Sequence, residues 1–198
     1  MSFKQFLKSA ALASTAALYV MAGGVFEPAL AREGGAQVHV AEKMVGADVK
    51  LKRITGGMAL PTEAFVDGAG KKHTLGEYRG KVVVMNLWAT WCAPCKKEMP
   101  TLAALQKGFN GKPIQIVPVS IDSKAAVDKA RAFIASVGTL PFYHDEDGAM
   151  APAMKPPVEG FPSSYIFDRK GKLVGVVAGE ADWASPKMKA LLEGMAKG

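Results

Sequence analysis

The sequence predicts an α/β fold in which a central mixed β-sheet is flanked by helices. Short apolar runs rich in β-branched residues, such as residues 82–87 and 114–121, are typical of buried strands. They alternate with helical patterns at 93–107 and 124–136. Strands on both sides of a crossover helix place helices on the faces of one sheet.

The first 31 residues have the features of a signal sequence. Lys4 and Lys8 precede a mostly apolar, alanine-rich run at 10–26, and residues 29–31 read ALA, a small-x-small cleavage site. The run is short and weakly apolar beside the roughly 20 residues of a spanning helix. Cleavage and retention as an N-terminal membrane anchor both stay open. Either outcome predicts a periplasmic domain, in the second case attached to the inner membrane.

The remaining chain divides into a linker or N-terminal arm at 32–59 and one domain at 60–198. Residues 37–54 lack a strong period, so a strand or a pair of strands there stays open. Three prolines within residues 150–157 exclude a regular helix from that stretch. The elements predicted for the domain are strands near 64–66 and at 82–87, a helix at 93–107, a strand at 114–121, a helix at 124–136 capped by Asp122 or Ser123 and ended by Gly138, strands at 165–167 and 173–178, and a helix at 186–196 capped by Ser185.

Both cysteines of the chain, Cys92 and Cys95, lie where the strand at 82–87 leads into a helix. A structural zinc site needs four ligands, and no second cysteine pair completes one. Attachment of a c-type haem needs His after the second cysteine, where Lys96 stands. A structural disulfide is disfavoured, because so short a loop constrains the unfolded chain very little. Thiol–disulfide exchange is therefore the favoured chemistry.

The helix start assigns different tasks to the two thiols. Partial positive charge and free backbone N–H groups at a helix N-terminus favour a thiolate, so Cys92 is the predicted nucleophile. Pro94 fits the first turn, because it lacks an N–H that would have no partner there. Cys95, one turn deeper, is the predicted resolving thiol.

Residues 86–100, which read NLWATWCAPCKKEMP, resemble the active-site segment of periplasmic thioredoxin-like proteins of the TlpA/ResA/CcmG type. The resemblance continues at 65–68, 75–81, 119–122, 160–164 and 178–185, and covers roughly residues 60–196. The last of these segments is most similar to TlpA-like proteins. The resemblance implies a thioredoxin fold and the activity of a thiol:disulfide oxidoreductase.

The same resemblance implies roles for further residues. Pro162 falls at the family's cis-proline, and Phe161 would present its backbone to a substrate peptide. Glu98 corresponds to an acidic residue that would relay the Cys95 proton through water, although a solvated helix charge stays open. Asn86 stands where thioredoxin has a buried aspartate. The predicted site comprises catalytic Cys92, Cys95 and Glu98, substrate-binding Trp91, Ala93, Pro94, Phe161 and Pro162, and no metal ligand.

Three nearby residues receive weaker assignments. Trp88 either shapes the groove beside the thiols or packs in the core, as large aromatic side chains mostly do. Trp91 has the better claim to contact a substrate. A catalytic involvement of Asp182 and Trp183, just before the final helix, is disfavoured.

These features predict a periplasmic reductant of protein disulfides without a cofactor. By resemblance, its partners are copper-site subunits and copper chaperones of cytochrome oxidase assembly or apocytochromes c, and a membrane reductase of the DsbD/CcdA kind supplies electrons. A DsbA-like oxidase stays open, because the sequence does not give the potential. Basic residues number 25 against 18 acidic ones and are scattered among them, so nucleic-acid binding is not predicted.

Two other functions are disfavoured. A Sco-like copper metallochaperone would space its cysteines by three residues, and Met150, Met154 and His144 are ordinary core and polar residues in the simpler interpretation. A peroxiredoxin would need proline and threonine where Met85 and Ala89 stand.

Overall fold

The computed structural model describes residues 39–44 and 50–198. The signal sequence or anchor predicted at 1–31 lies outside these residues. In the described part of the chain, none of the helices has the length and apolar character needed to cross a bilayer.

The described elements follow the predicted order. The strands are β1 (His39–Met44), β2 (Lys50–Thr55), β3 (Phe65–Asp67), β4 (Lys72–His73), β5 (Val82–Trp88), β6 (Ile114–Ser120), β7 (Tyr143–His144), β8 (Ser163–Phe167) and β9 (Leu173–Ala178). The helices are α1 (Ala93–Gly108), α2 (Val127–Val137), α3 (Met150–Ala153) and α4 (Pro186–Lys197), with short 3₁₀ turns at Leu75–Tyr78 and Lys124–Ala126.

All nine strands of the described residues belong to one mixed sheet, in the order β1-β2-β9-β8-β5-β6-β7-β3-β4. The central strand β5 is parallel to β6 and antiparallel to β8, and β6 is also parallel to β7. Because parallel neighbours need a crossover connection, α1 leads from β5 to β6. The predicted mixed sheet flanked by helices is confirmed.

Strand β5 is buried along its whole length, and its side chains alternate between the two faces of the sheet. Val84 and Trp88 join the apolar cluster that contains buried residues of α1 and α4. Met85 and Leu87 join the cluster on the opposite face. Since Asn86 has the parity of Val84 and Trp88, it lies on the face that α1 covers.

The segment at 32–59 contains a strand pair, the possibility that its sequence left open. β1 and β2 are antiparallel, and β2 pairs with β9, so the arm extends the main sheet. The chain then passes close to β9 at Gly57. A Cβ atom at this position would collide with the Leu173 carbonyl, so only glycine fits there.

The structure differs from the predicted elements mainly at short segments. The two-residue strands β4 and β7 were not predicted, because a period needs more residues than they have. The proline-rich stretch at 150–157 holds only the single helical turn α3. Pro152 fits within that turn, since the N–H groups of a first turn have no helical partner. The Lys155–Pro156 bond that follows is cis.

Candidate active site

Cys92 and Cys95 form a disulfide at the N-terminus of α1, with a Cα–Cα distance of 5.3 Å. Cys92 is the N-cap residue and has extended backbone angles, φ −90° and ψ 101°. Its Sγ accepts a hydrogen bond from the Cys95 N–H at 3.2 Å. A sulfur at this place lies beside the free N–H groups of the first helical turn, which stabilise a thiolate.

The two sulfurs differ in their surroundings. Cys92 is 5% exposed, whereas Cys95 is fully buried. Ala93 and Pro94, which separate them, are exposed and border the disulfide. Cys92 is therefore the more accessible of the two sulfurs, as expected if Cys92 is the attacking thiol.

Two of the predicted substrate-binding residues contact each other, and one of them, Trp91, directly precedes Cys92. Trp91 is 66% exposed, the one large hydrophobic side chain in the described residues with such exposure. Its ring contacts the ring of Phe161 edge to face, at 5.8 Å between centroids. The Phe161–Pro162 bond is cis, as expected, and Pro162 is buried directly before β8. Trp88 is fully buried against Phe133, so its role is packing and not the shaping of a groove.

Asp122 holds the loop that precedes Cys92. Its carboxylate accepts hydrogen bonds from the Thr90 N–H at 2.9 and 3.1 Å and from the Thr90 hydroxyl at 2.7 Å. The Ser120 hydroxyl donates to the same carboxylate at 2.8 Å. Of the two predicted caps of the following helix, Asp122 instead binds Thr90, which lies past the end of β5 and has donors to satisfy. Ser123 is the N-cap residue of the 3₁₀ turn at Lys124–Ala126, but its side chain makes no capping bond.

Glu98 is 1% exposed and follows Cys95 by one turn of α1, so the alternative of a solvated helix charge is wrong. Its Oε1 accepts a hydrogen bond from Asn86 Nδ2 at 2.7 Å. Its Oε2 accepts one from the Ala181 N–H at 3.0 Å and one from Trp183 Nε1 at 3.1 Å. Asn86 Nδ2 also donates to Ser164 Oγ at 2.8 Å, across the β5–β8 pair.

Burial raises the pKa of Glu98 to about 7, although hydrogen bonds from Trp183, Ala181 and Asn86 oppose this shift. The nearby charge of Glu180 raises the pKa slightly further. A carboxyl group that is half ionised near neutral pH can accept and return protons, which is the property of a general acid–base catalyst.

The sequence did not reveal that residues 181–183 belong to this cluster. Trp183 is fully buried with its indole on Glu98, whereas Asp182 is exposed and accepts a bond from the Ala184 N–H within its own turn. No local sequence pattern predicts the contact between Glu98 and Trp183, which are 85 positions apart. The only signal was the resemblance of 178–185 to TlpA-like proteins.

The residues that suggested copper binding, His144, Met150 and Met154, have structural partners. His144 Nε2 bonds to the backbone oxygen of Asp122 at 2.7 Å, and Met150 and Met154 are buried in an apolar cluster. Within residues 39–44 and 50–198 there is no group of three or more His, Cys, Asp or Glu arranged to hold a metal ion.

Comparison with known proteins identifies the family. The family model described as Redoxin matches residues 55–192. The chain belongs to the Redoxin family. This Redoxin protein is 36% identical over 128 residues to thiol-disulfide oxidoreductase ResA of Bacillus subtilis. The aligned region covers 64% of this chain and 69% of ResA. It is 34% identical to thioredoxin-like protein YneN of the same organism, over 64% of this chain and 73% of YneN.

A solved structure described as a thiol:disulfide interchange protein DsbE from Chlorobium tepidum superposes with a TM-score of 0.57 and 29% identity. The match covers 70% of this Redoxin protein and 93% of that chain. The resemblance seen in the sequence and the thioredoxin-like fold are confirmed. This Redoxin protein is a thiol:disulfide oxidoreductase of the ResA/CcmG type.

Proposed function

We propose that this protein reduces disulfide bonds of partner proteins in the periplasm. The observation that carries the proposal is the Cys92–Cys95 pair at a helix N-terminus with the buried carboxyl group of Glu98 one turn behind it. The Cys92 thiolate, the less buried of the two sulfurs, supplies the nucleophile. A carboxyl group with a pKa of about 7 supplies the proton acceptor that the second thiol needs.

In the first step, the Cys92 thiolate of the reduced protein attacks one sulfur of the partner disulfide. A bond forms between Cys92 Sγ and that sulfur, and the other partner sulfur leaves as a thiolate. Cys92 attacks because it lies at the helix N-terminus and is less shielded than Cys95. The partner chain lies against Trp91, Phe161 and Pro162, with Ala93 and Pro94 at the border of the contact.

In the second step, Cys95 resolves the mixed disulfide. The Cys95 thiol gives its proton to the Glu98 carboxylate through water, and the resulting thiolate attacks Cys92 Sγ. The Cys92–Cys95 bond forms, and the partner sulfur leaves as a second thiolate. Two electrons have then passed from the cysteine pair to the partner disulfide.

The signal-like features of residues 1–31 support the location, and the resemblance to TlpA-like proteins supports the partners and the electron supply. Residues 1–31 export the domain or anchor it to the inner membrane. Candidate partners are proteins that await copper or haem, such as cytochrome oxidase copper-site proteins, copper chaperones and apocytochromes c. A membrane reductase of the DsbD/CcdA kind returns the pair to its reduced state.

The direction of electron flow is tested by equilibrating the protein with glutathione buffers. We expect a reducing potential, closer to the roughly −270 mV of thioredoxin than to the roughly −120 mV of DsbA. A potential near that of DsbA would mean that the protein is a DsbA-like oxidase and not a reductant.

The assignment of the two thiols is tested by trapping. Cys95→Ser should accumulate a mixed disulfide through Cys92, because the resolving thiol is gone. Cys92→Ser is the matched control and should trap nothing. Trapping by Cys92→Ser instead would exchange the two roles.

A further inference from the structure

We propose that Trp183 is a positioning residue that decides which oxygen of Glu98 takes the proton of Cys95. The inference rests on the proposed role of Glu98 as proton acceptor. It concerns a residue that follows Cys95 by 88 positions in the sequence.

The two oxygens of the Glu98 carboxyl group have different partners. Oε2 receives the Ala181 N–H and the indole N–H of Trp183, and neither of these groups can accept a hydrogen bond. A proton on Oε2 would point at two donors. Oε2 is therefore an acceptor in both protonation states, and the proton of the neutral acid belongs on Oε1.

Oε1 faces a partner that suits either state. Asn86 Nδ2 donates to it at 2.7 Å and also to Ser164 Oγ at 2.8 Å, whereas the buried Asn86 Oδ1 has no partner among the described residues. A half-turn of the amide places Oδ1 where Nδ2 now lies. Oδ1 then accepts from a protonated Oε1 and from the Ser164 hydroxyl. Each of the two orientations leaves one amide atom without a partner. The Asn86 amide can therefore turn when Oε1 gains a proton and turn back when Oε1 loses it.

Trp183 is held firmly enough to serve this purpose. Its backbone N–H donates to Thr101 Oγ1 at 3.1 Å, and the Thr101 hydroxyl donates to the Glu98 carbonyl at 2.7 Å. The ring is fully buried in the apolar cluster under α1 and α4. The indole N–H is thus anchored to α1 through its own backbone and by its packing.

The titratable surroundings of Glu98 are simple. Helix α1 contributes Cys95, and the loop after β9 contributes Glu180, which forms an ion pair with Lys97 at 2.6 Å. Strands β5 and β8 contribute only the neutral Asn86 and Ser164. A change at Trp183 therefore acts on Glu98 without removing a charge.

The test is the pH dependence of mixed-disulfide resolution, measured by stopped flow between pH 5 and 9 with a fluorescent peptide disulfide as substrate. Trp183→Phe removes one donor from the carboxylate and keeps most of the ring. The Glu98 limb of the profile should move to higher pH by about one unit, with a slower reaction at pH 7. Trp88→Phe is the matched control, because Trp88 is equally buried and its Nε1 has no partner within the described part of the chain. Its profile should match the wild type.

Glu98→Gln separates the two levels of the proposal. Suppose that Glu98→Gln abolishes the Glu98 limb of the pH profile, whereas Trp183→Phe leaves that limb at the wild-type pH. The role of Trp183 is then overturned and that of Glu98 stands. If Glu98→Gln keeps the wild-type pH profile, Glu98 is not the proton acceptor, and the proposed role of Trp183 is overturned as well. Should Trp183→Phe not fold, 3-benzothienylalanine at position 183 keeps the shape of the ring and lacks only the N–H. The same upward shift is expected, and its absence would overturn the proposal.

Discussion

Replacement of Glu98 by glutamine should abolish most of the decrease in stability that the oxidised protein shows as pH rises. Burial raises the pKa of Glu98 from 4.5 to about 7. The folded protein therefore binds this proton more tightly than the unfolded chain does. The neutral carboxyl group stabilises the fold below about pH 4.5, and this contribution disappears as pH rises through about 7. At about 1.4 kcal/mol per pKa unit, the loss is about 3 kcal/mol.

Glutamine keeps the shape of the side chain but never ionises. Its oxygen can accept the N–H groups of Ala181 and Trp183, and its NH₂ group can donate to Asn86 Oδ1 once that amide turns. Glu98→Gln should therefore be as stable as the wild type near pH 4.5 and more stable at pH 8, by up to about 3 kcal/mol.

The assay is urea unfolding at several pH values from 4.5 to 8. The disulfide is kept intact, so that neither cysteine titrates. Glu146→Gln is the control, since it removes an exposed carboxylate that pairs with Lys124. Its curve should run parallel to the wild-type curve. A Glu98→Gln protein whose stability falls with pH as steeply as that of the wild type would refute the buried, proton-binding carboxyl group.

Two further predictions concern other parts of the molecule. Trp91→Ala should raise KM for a protein disulfide at least several-fold while changing stability little, because the ring is 66% exposed; an unchanged KM would remove Trp91 from the substrate contact. Hydrogen bonds to Glu77 and Asp67 raise the pKa of His73. The protonated ring therefore stabilises the fold below about pH 6.5, and this stabilisation is lost as pH rises through the raised pKa of His73. His73→Gln should therefore cost more stability at pH 5.5 than at pH 9 in the same unfolding assay, and equal costs would contradict it.

The elements around the site were predictable because their signals are local. β5 is an apolar run interrupted only by Asn86. Ser185 caps α4 as predicted and accepts from the Met188 N–H, and Gly138 follows the last residue of α2. The cysteine pair identified the chemistry for the same reason, since its spacing and the helix start are adjacent in sequence.

The environment of the site was not predictable, because it depends on distant contacts. A glutamate in an amphipathic helix has the same sequence signature whether water or a tryptophan covers it. The burial of Glu98 follows from the loop after β9, and the anchoring of Thr90 follows from Asp122, two residues after β6. Only the assembled sheet brings these residues together.

The strand pair β1–β2 has a practical consequence for protein production. β2 covers the outer edge of β9, and its Leu51 and Ile54 are buried in the two apolar clusters. A protein shortened to residue 60, where the sequence places the domain boundary, would bare the N–H and C=O groups of β9 along an apolar strand. Such open edges recruit strands from other molecules and promote aggregation. Expression of the domain should therefore start before His39.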